Sequence, residues 1–136
     1  MEQILIVVGA AILGLLGAVH LFYTFFGHRL DPYEPAAIEA MKGSTLRLTR
    51  ETTVWKAWIG FNASHSLGAL FVAAIYITLA LWHMDLIRGS LWFSLLPLVL
   101  SLCYLGLARA YWFRIPFTGI LISTLCFGAA AVMLHL

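Results

Sequence analysis

Four long apolar stretches, residues 3–26, 54–82, 92–113 and 116–136, constrain this chain more than anything else in it. A helix needs about 20 residues to cross the hydrocarbon of a bilayer, and each stretch reaches that length. Strands of a membrane barrel are shorter and alternate strictly, whereas residues 4–16 run apolar without alternation. Outside a closed barrel, helices are the only way to satisfy a backbone in lipid. The expected fold is therefore an all-α membrane protein, an antiparallel four-helix transmembrane bundle forming a single domain over residues 1–136. The first stretch follows Glu2, not a basic residue, and is too long for a cleaved leader, so it is read as a retained span.

Composition removes the competing classes. Apolar residues make up 62% of the chain and charged residues 10%, against about 45–50% and about 25% in soluble domains. Such a chain cannot cover a water-facing surface, and it is too rich in aliphatic and aromatic residues to stay disordered. The two cysteines, Cys103 and Cys126, lie inside apolar runs, so no disulfide scaffold is expected. They read as small hydrophobes at similar depth. Eight basic residues against six acidic ones, with no Lys/Arg run, give no signal for nucleic acid.

Placement of the basic residues suggests orientation. Arg29, Lys42, Arg47, Arg50 and Lys56 flank the first connection, Arg109 and Arg114 flank the third, and only Arg88 lies on the opposite side. By the positive-inside rule the first and third connections face the cytoplasm, and both termini lie outside. Trp82, Trp92, Trp112, Tyr111 and Tyr23 fall near span ends, as an aromatic belt requires. Within the first connection, Asp31-Pro32-Tyr33-Glu34-Pro35 reads as a turn. Pro35 can open a short helix over 36–42 that Gly43 closes, with Ala37, Ile38 and Met41 lying on the membrane interface. Ser44 or Thr49 is the expected cap of the next helix, which should begin near Thr49.

Polar residues inside spans are costly, so they mark where function is sought. Glu51, Trp55, Trp58, Asn62, His65 and Ala69 follow one another at steps of 4, 3, 4, 3 and 4, one face of one helix. Gly17, His20 and Thr24 do the same on span 1, and Arg109 and Tyr104 come from span 3. At the α-helical rise, His20 lies about 9 Å and His65 about 16 Å from the inner ends of their spans. The polar set thus collects in the cytoplasmic half of the bundle, and both imidazoles are expected to point inward. Arg109 should pair with Glu51 or reach the head groups. His83 and His135, at outer span ends, are expected to be solvated. Gly14 and Gly17 permit close helix approach. Gly60, Gly68, Gly119, Ser123 and residues 128–131 could pack within the chain or against another protein.

Two segments, Arg47-Leu48-Thr49-Arg50-Glu51-Thr52-Thr53-Val54-Trp55-Lys56-Ala57-Trp58-Ile59-Gly60-Phe61-Asn62-Ala63-Ser64-His65-Ser66-Leu67-Gly68 and Ala108-Arg109-Ala110-Tyr111-Trp112-Phe113-Arg114-Ile115-Pro116-Phe117, resemble a family of uncharacterised bacterial inner-membrane proteins with four spans. The layout is loosely similar to the DoxX-like group, and more distantly to the four-helix membrane fold of the sterol isomerases. The resemblance implies a multi-pass protein of the bacterial inner membrane. The isomerase fold uses intramembrane acids, and no Asp or Glu lies deep in any span here.

Three function classes fit these residues. His20, Thr24, Trp55, Trp58, Asn62, His65 and Arg109 could line a pocket for an amphipathic small molecule or lipid, quinone- or isoprenoid-like, with indoles against its flat apolar part and imidazole and carboxamide on its polar atoms. Alternatively the polar groups only tie helices together, in a homo-oligomer or a non-catalytic subunit of a larger membrane complex. Thirdly, His20 and His65 are candidate axial ligands of a bis-imidazole haem or another metal; covalent haem attachment is excluded because no CxxCH is present. An enzyme is the least supported class. Glu51 and His65 sit about 21 Å apart along one helix, so they cannot act on one bond. Ser64, His65 and Ser66 point in different directions and make no triad. Membrane lipids are the expected partners.

Overall fold

The computed structural model describes residues 1–135. It is all α-helical in its regular elements: α1 (Glu2–Phe25), α2 (Pro35–Gly43), α3 (Val54–Trp82), α4 (Met84–Gly89), α5 (Leu91–Tyr111) and α6 (Arg114–His135). Helices α1, α3, α5 and α6 are long and apolar enough to cross a membrane, and they pack together in alternating direction. Their limits match the four apolar stretches to within two residues. Residue 136, the expected last residue of the fourth span, lies outside the described residues.

Two local expectations change. Helix α3 begins at Val54, not near Thr49. Its cap is Thr53, whose Oγ1 accepts from the Lys56 amide at 3.3 Å. Thr49 Oγ1 instead accepts from Glu51 N at 3.2 Å in a local turn. Glu51 therefore lies outside the helix and leaves the polar stripe. The second connection holds α4, a short helix not expected from the sequence. Asp85 in its first turn and Arg88 in its last complement the helix dipole.

The chain divides into two compact units. One comprises residues 1–16 and the described residues from 69 onward. Ile6, Ala10, Tyr76, Ala80, Ile87, Phe127 and Ala130 form its buried cluster. Close approach is built in: a methyl group added to Gly14 would stand 2.8 Å from the Ala73 Cβ. One added to Gly9 would meet Cys126, Phe127 and the Ser123 carbonyl, each at 3.2 Å. Small residues let helices approach this closely where lipid supplies no hydrophobic drive.

Polar ties join the helices of this unit. Ser123 Oγ donates to the Gly9 carbonyl (2.8 Å), and Gln3 Nε2 donates to the Ala80 carbonyl (2.8 Å). Arg88 meets Glu2 at 2.6 Å. Tyr76 serves a special need. Pro97 lies inside α5 and lacks the N–H that would serve the Phe93 carbonyl four residues back. The Tyr76 hydroxyl donates to that carbonyl at 3.0 Å. His135, expected to be solvated, lies exposed but holds the buried Ser94: since Ser94 Oγ donates to Leu91 O (3.0 Å), the imidazole Nε2 donates to Ser94 Oγ (2.6 Å). Among the described residues no buried side-chain nitrogen or oxygen lacks a hydrogen-bond partner.

Candidate functional site, a histidine–asparagine cluster

The second unit, Gly17–Gly68, contains every proposed site residue except Arg109. Its part of α1 presents Gly17, His20 and Thr24 on one face. Gly17 and Thr24 are buried and His20 is half-buried. The facing stripe of α3 is Asn62, His65 and Ser66. Further along α3 the same register continues as Ala69, Ala73, Tyr76 and Ala80, all buried. The polar stripe is thus the early part of a packing seam with a 3–4 spacing.

The two faces meet. His20 Nε2 lies 2.8 Å from Asn62 Oδ1, and the His20 and His65 rings touch edge to face with centroids 5.6 Å apart. Asn62 Nδ2 donates to the Trp58 carbonyl at 2.8 Å. That bond fixes which way the carboxamide points, so its oxygen faces His20 and the imidazole must donate through Nε2. Thr24 Oγ1 donates to the His20 carbonyl, and Ser66 Oγ to the Asn62 carbonyl, each at 2.8 Å. Both are i to i−4 bonds that keep hydroxyls satisfied without water. Ser66 is fully buried and absent from the sequence-derived set; its spacing of four from Asn62 was the available signal.

The structure brings His20, Thr24, Asn62 and His65 together. The two indoles take different places beside it. Trp58 contributes its backbone carbonyl while its side chain is 41% exposed. Trp55 is half-buried and faces the loop: Lys42 Nζ stands 5.9 Å from its ring centre. Both indoles sit in the first two turns of α3. Arg109 is exposed on α5, belongs to the other unit, and forms no ion pair among the described residues.

A bis-imidazole haem needs both rings to aim a nitrogen at one iron. Here His20 directs Nε2 at Asn62 and meets His65 edge to face, so these residues do not fit that cofactor. Among the described residues no group of three or more His, Cys, Asp or Glu gathers at metal-binding distance. Two shallow apolar grooves lie elsewhere, one on α3 beside Ala74, Ile75, Thr78 and Leu79, the other on α5 between Leu96 and Leu107.

No protein-family model, curated protein or solved structure matches the chain. The structure has four candidate membrane-spanning helices, and no family is assigned.

Proposed function

We propose that this multi-pass membrane protein binds the polar end of a lipid-soluble amphipathic molecule, quinone- or isoprenoid-like, at the His20–Asn62–His65 cluster. One observation carries the reading: two half-buried imidazoles and a carboxamide of fixed orientation meet between two apolar helices. Polar groups at such a depth are costly and are characteristic of ligand pathways. Trp58, Phe61 and Phe22, all exposed on the same stretches of α1 and α3, offer apolar and aromatic surface for the rest of the molecule.

A second reading is favoured by the closure of the network. Both ends of the Asn62 amide and the hydroxyls of Thr24 and Ser66 are already engaged within the chain. On this reading the cluster is a clamp in a non-catalytic subunit of a larger membrane complex. One experiment separates the two: mass spectrometry of the protein extracted with its native lipid. The binding reading expects a prenyl or quinone-type molecule retained by the wild type and lost at least tenfold in His65→Ala. Retention of a protein partner with no such molecule supports the clamp, and equal retention by wild type and His65→Ala overturns the binding reading.

The orientation belongs with this proposal. Seven basic residues flank the first and third connections and one flanks the second, which supports a bacterial inner-membrane protein with both termini outside. In a Cys103→Ala, Cys126→Ala background, a cysteine at Thr45 should resist a membrane-impermeant maleimide added to intact spheroplasts, while one at Ser90 should label. The reverse pattern overturns this orientation.

A further inference from the structure

The segment between α2 and α3 is a closed loop. Thr45 and Thr53 pair as an isolated antiparallel bridge, and the amide of Val54 donates to the Ser44 carbonyl at 2.9 Å. Val54 is also the first residue of a span. The loop is therefore shut directly on the point where the chain enters the apolar helix, and its short contour keeps it within reach of the bilayer surface. Leu46, Thr49 and Thr52 are half-buried, while Arg47, Leu48, Arg50 and Glu51 are exposed. Leu48 is 92% exposed between two arginines. Lys56, one turn into α3, is also exposed. Arg47, Arg50 and Lys56 against Glu51 leave a charge of +2 (3 − 1). Lys42, which precedes the loop, is paired with Glu39 at 3.0 Å.

We propose that residues 45–53 dock on anionic lipid head groups, with Arg47 and Arg50 meeting phosphates and Leu48 inserting between the lipids. Charge complementarity selects this occupant: basic residues beside a span are drawn to an anionic leaflet, and an apolar side chain between them adds buried area at the head-group boundary. The attraction fades within a Debye length, and the bridge ties both ends of the arginine-bearing loop to the first residue of the span. The surface is separate from the histidine–asparagine cluster and does not depend on which way the protein faces.

The test uses the full chain with Leu48→Cys labelled by bimane in the Cys103→Ala, Cys126→Ala background. It is reconstituted in nanodiscs of phosphatidylcholine, with or without phosphatidylglycerol. Bimane emission should shift to the blue, and quenching by aqueous iodide should fall, only in the discs holding phosphatidylglycerol. Each arginine is expected to contribute about fivefold to the partitioning of the loop. Arg47→Gln with Arg50→Gln should abolish the shift, and Arg47→Lys with Arg50→Lys should keep it. High ionic strength should abolish it in the otherwise unaltered loop, a readout that stands even if the glutamine variant fails to fold. Identical emission in both discs, a shift that survives loss of both arginines, or one that appears only on adding an acidic protein overturns the proposal.

Discussion

Tyr76→Phe is expected to lower stability by about 1–3 kcal/mol, the cost of leaving a part-buried carbonyl without a donor. The hydroxyl it removes is the one that serves Phe93 O across the helix boundary. In water such a carbonyl would find solvent, but in the bilayer it cannot. The companion variant makes the account specific. Pro97→Ala restores the missing N–H within α5, so the Phe93 carbonyl regains its helical partner. Tyr76→Phe should then cost under about 0.5 kcal/mol in the Pro97→Ala background, since the orphaned group no longer exists. Unfolding midpoints in mixed detergent micelles read both values. An equal penalty with and without Pro97 would show that the tyrosine acts only through packing.

Asn62→Leu should be the most damaging change in the cluster. It removes the acceptor of His20 and the donor to the Trp58 carbonyl together. Interhelical hydrogen bonds in membranes average about 0.6 kcal/mol, but an imidazole N–H left without an acceptor raises the cost to about 1–3 kcal/mol. Replacing His20 by Phe takes away that orphaned donor. The Asn62→Leu penalty should therefore fall by about 0.6–1.7 kcal/mol in a His20→Phe background. The same unfolding measurement checks it, and strictly additive penalties would mean that the 2.8 Å contact carries no coupling.

Length and hydropathy made the four spans legible, because a bilayer imposes one dimension on every crossing segment. The histidine–asparagine contact was also legible, since a 3–4 spacing on each of two helices leaves few other faces for His20, Asn62 and His65. The helical-rise arithmetic allowed His20 and His65 to meet at similar depth once the span ends shift by a few residues, and the rings touch with centroids 5.6 Å apart. Trp55 shares the stripe of Asn62 by angle, but it sits two turns earlier, with Lys42 Nζ 5.9 Å from its ring centre, and periodicity encodes only the angle.

What the sequence obscured was local closure. Thr45 and Thr53 find each other across the loop, a pairing no periodic signal marks, and it moves the cap of α3 from Thr49 to Thr53. Helix α4 is too short for a repeat of its own. The role of Tyr76 depends on a proline in a different helix, so neither residue discloses it alone.

The ties of the first unit have a temporal side. Glu2 is matched with Arg88, Gln3 with Ala80 and Gly9 with Ser123. A ribosome delivers these partners in sequence, so the opening segment leaves the exit tunnel long before any of them has been made. Gly14 can be covered once Ala73 of α3 is made, but Gly9 must wait, uncovered, until Ser123, Cys126 and Phe127 of α6 have been synthesised. Final consolidation of α1 thus awaits synthesis of α6, because Ser123 lies 114 residues beyond Gly9.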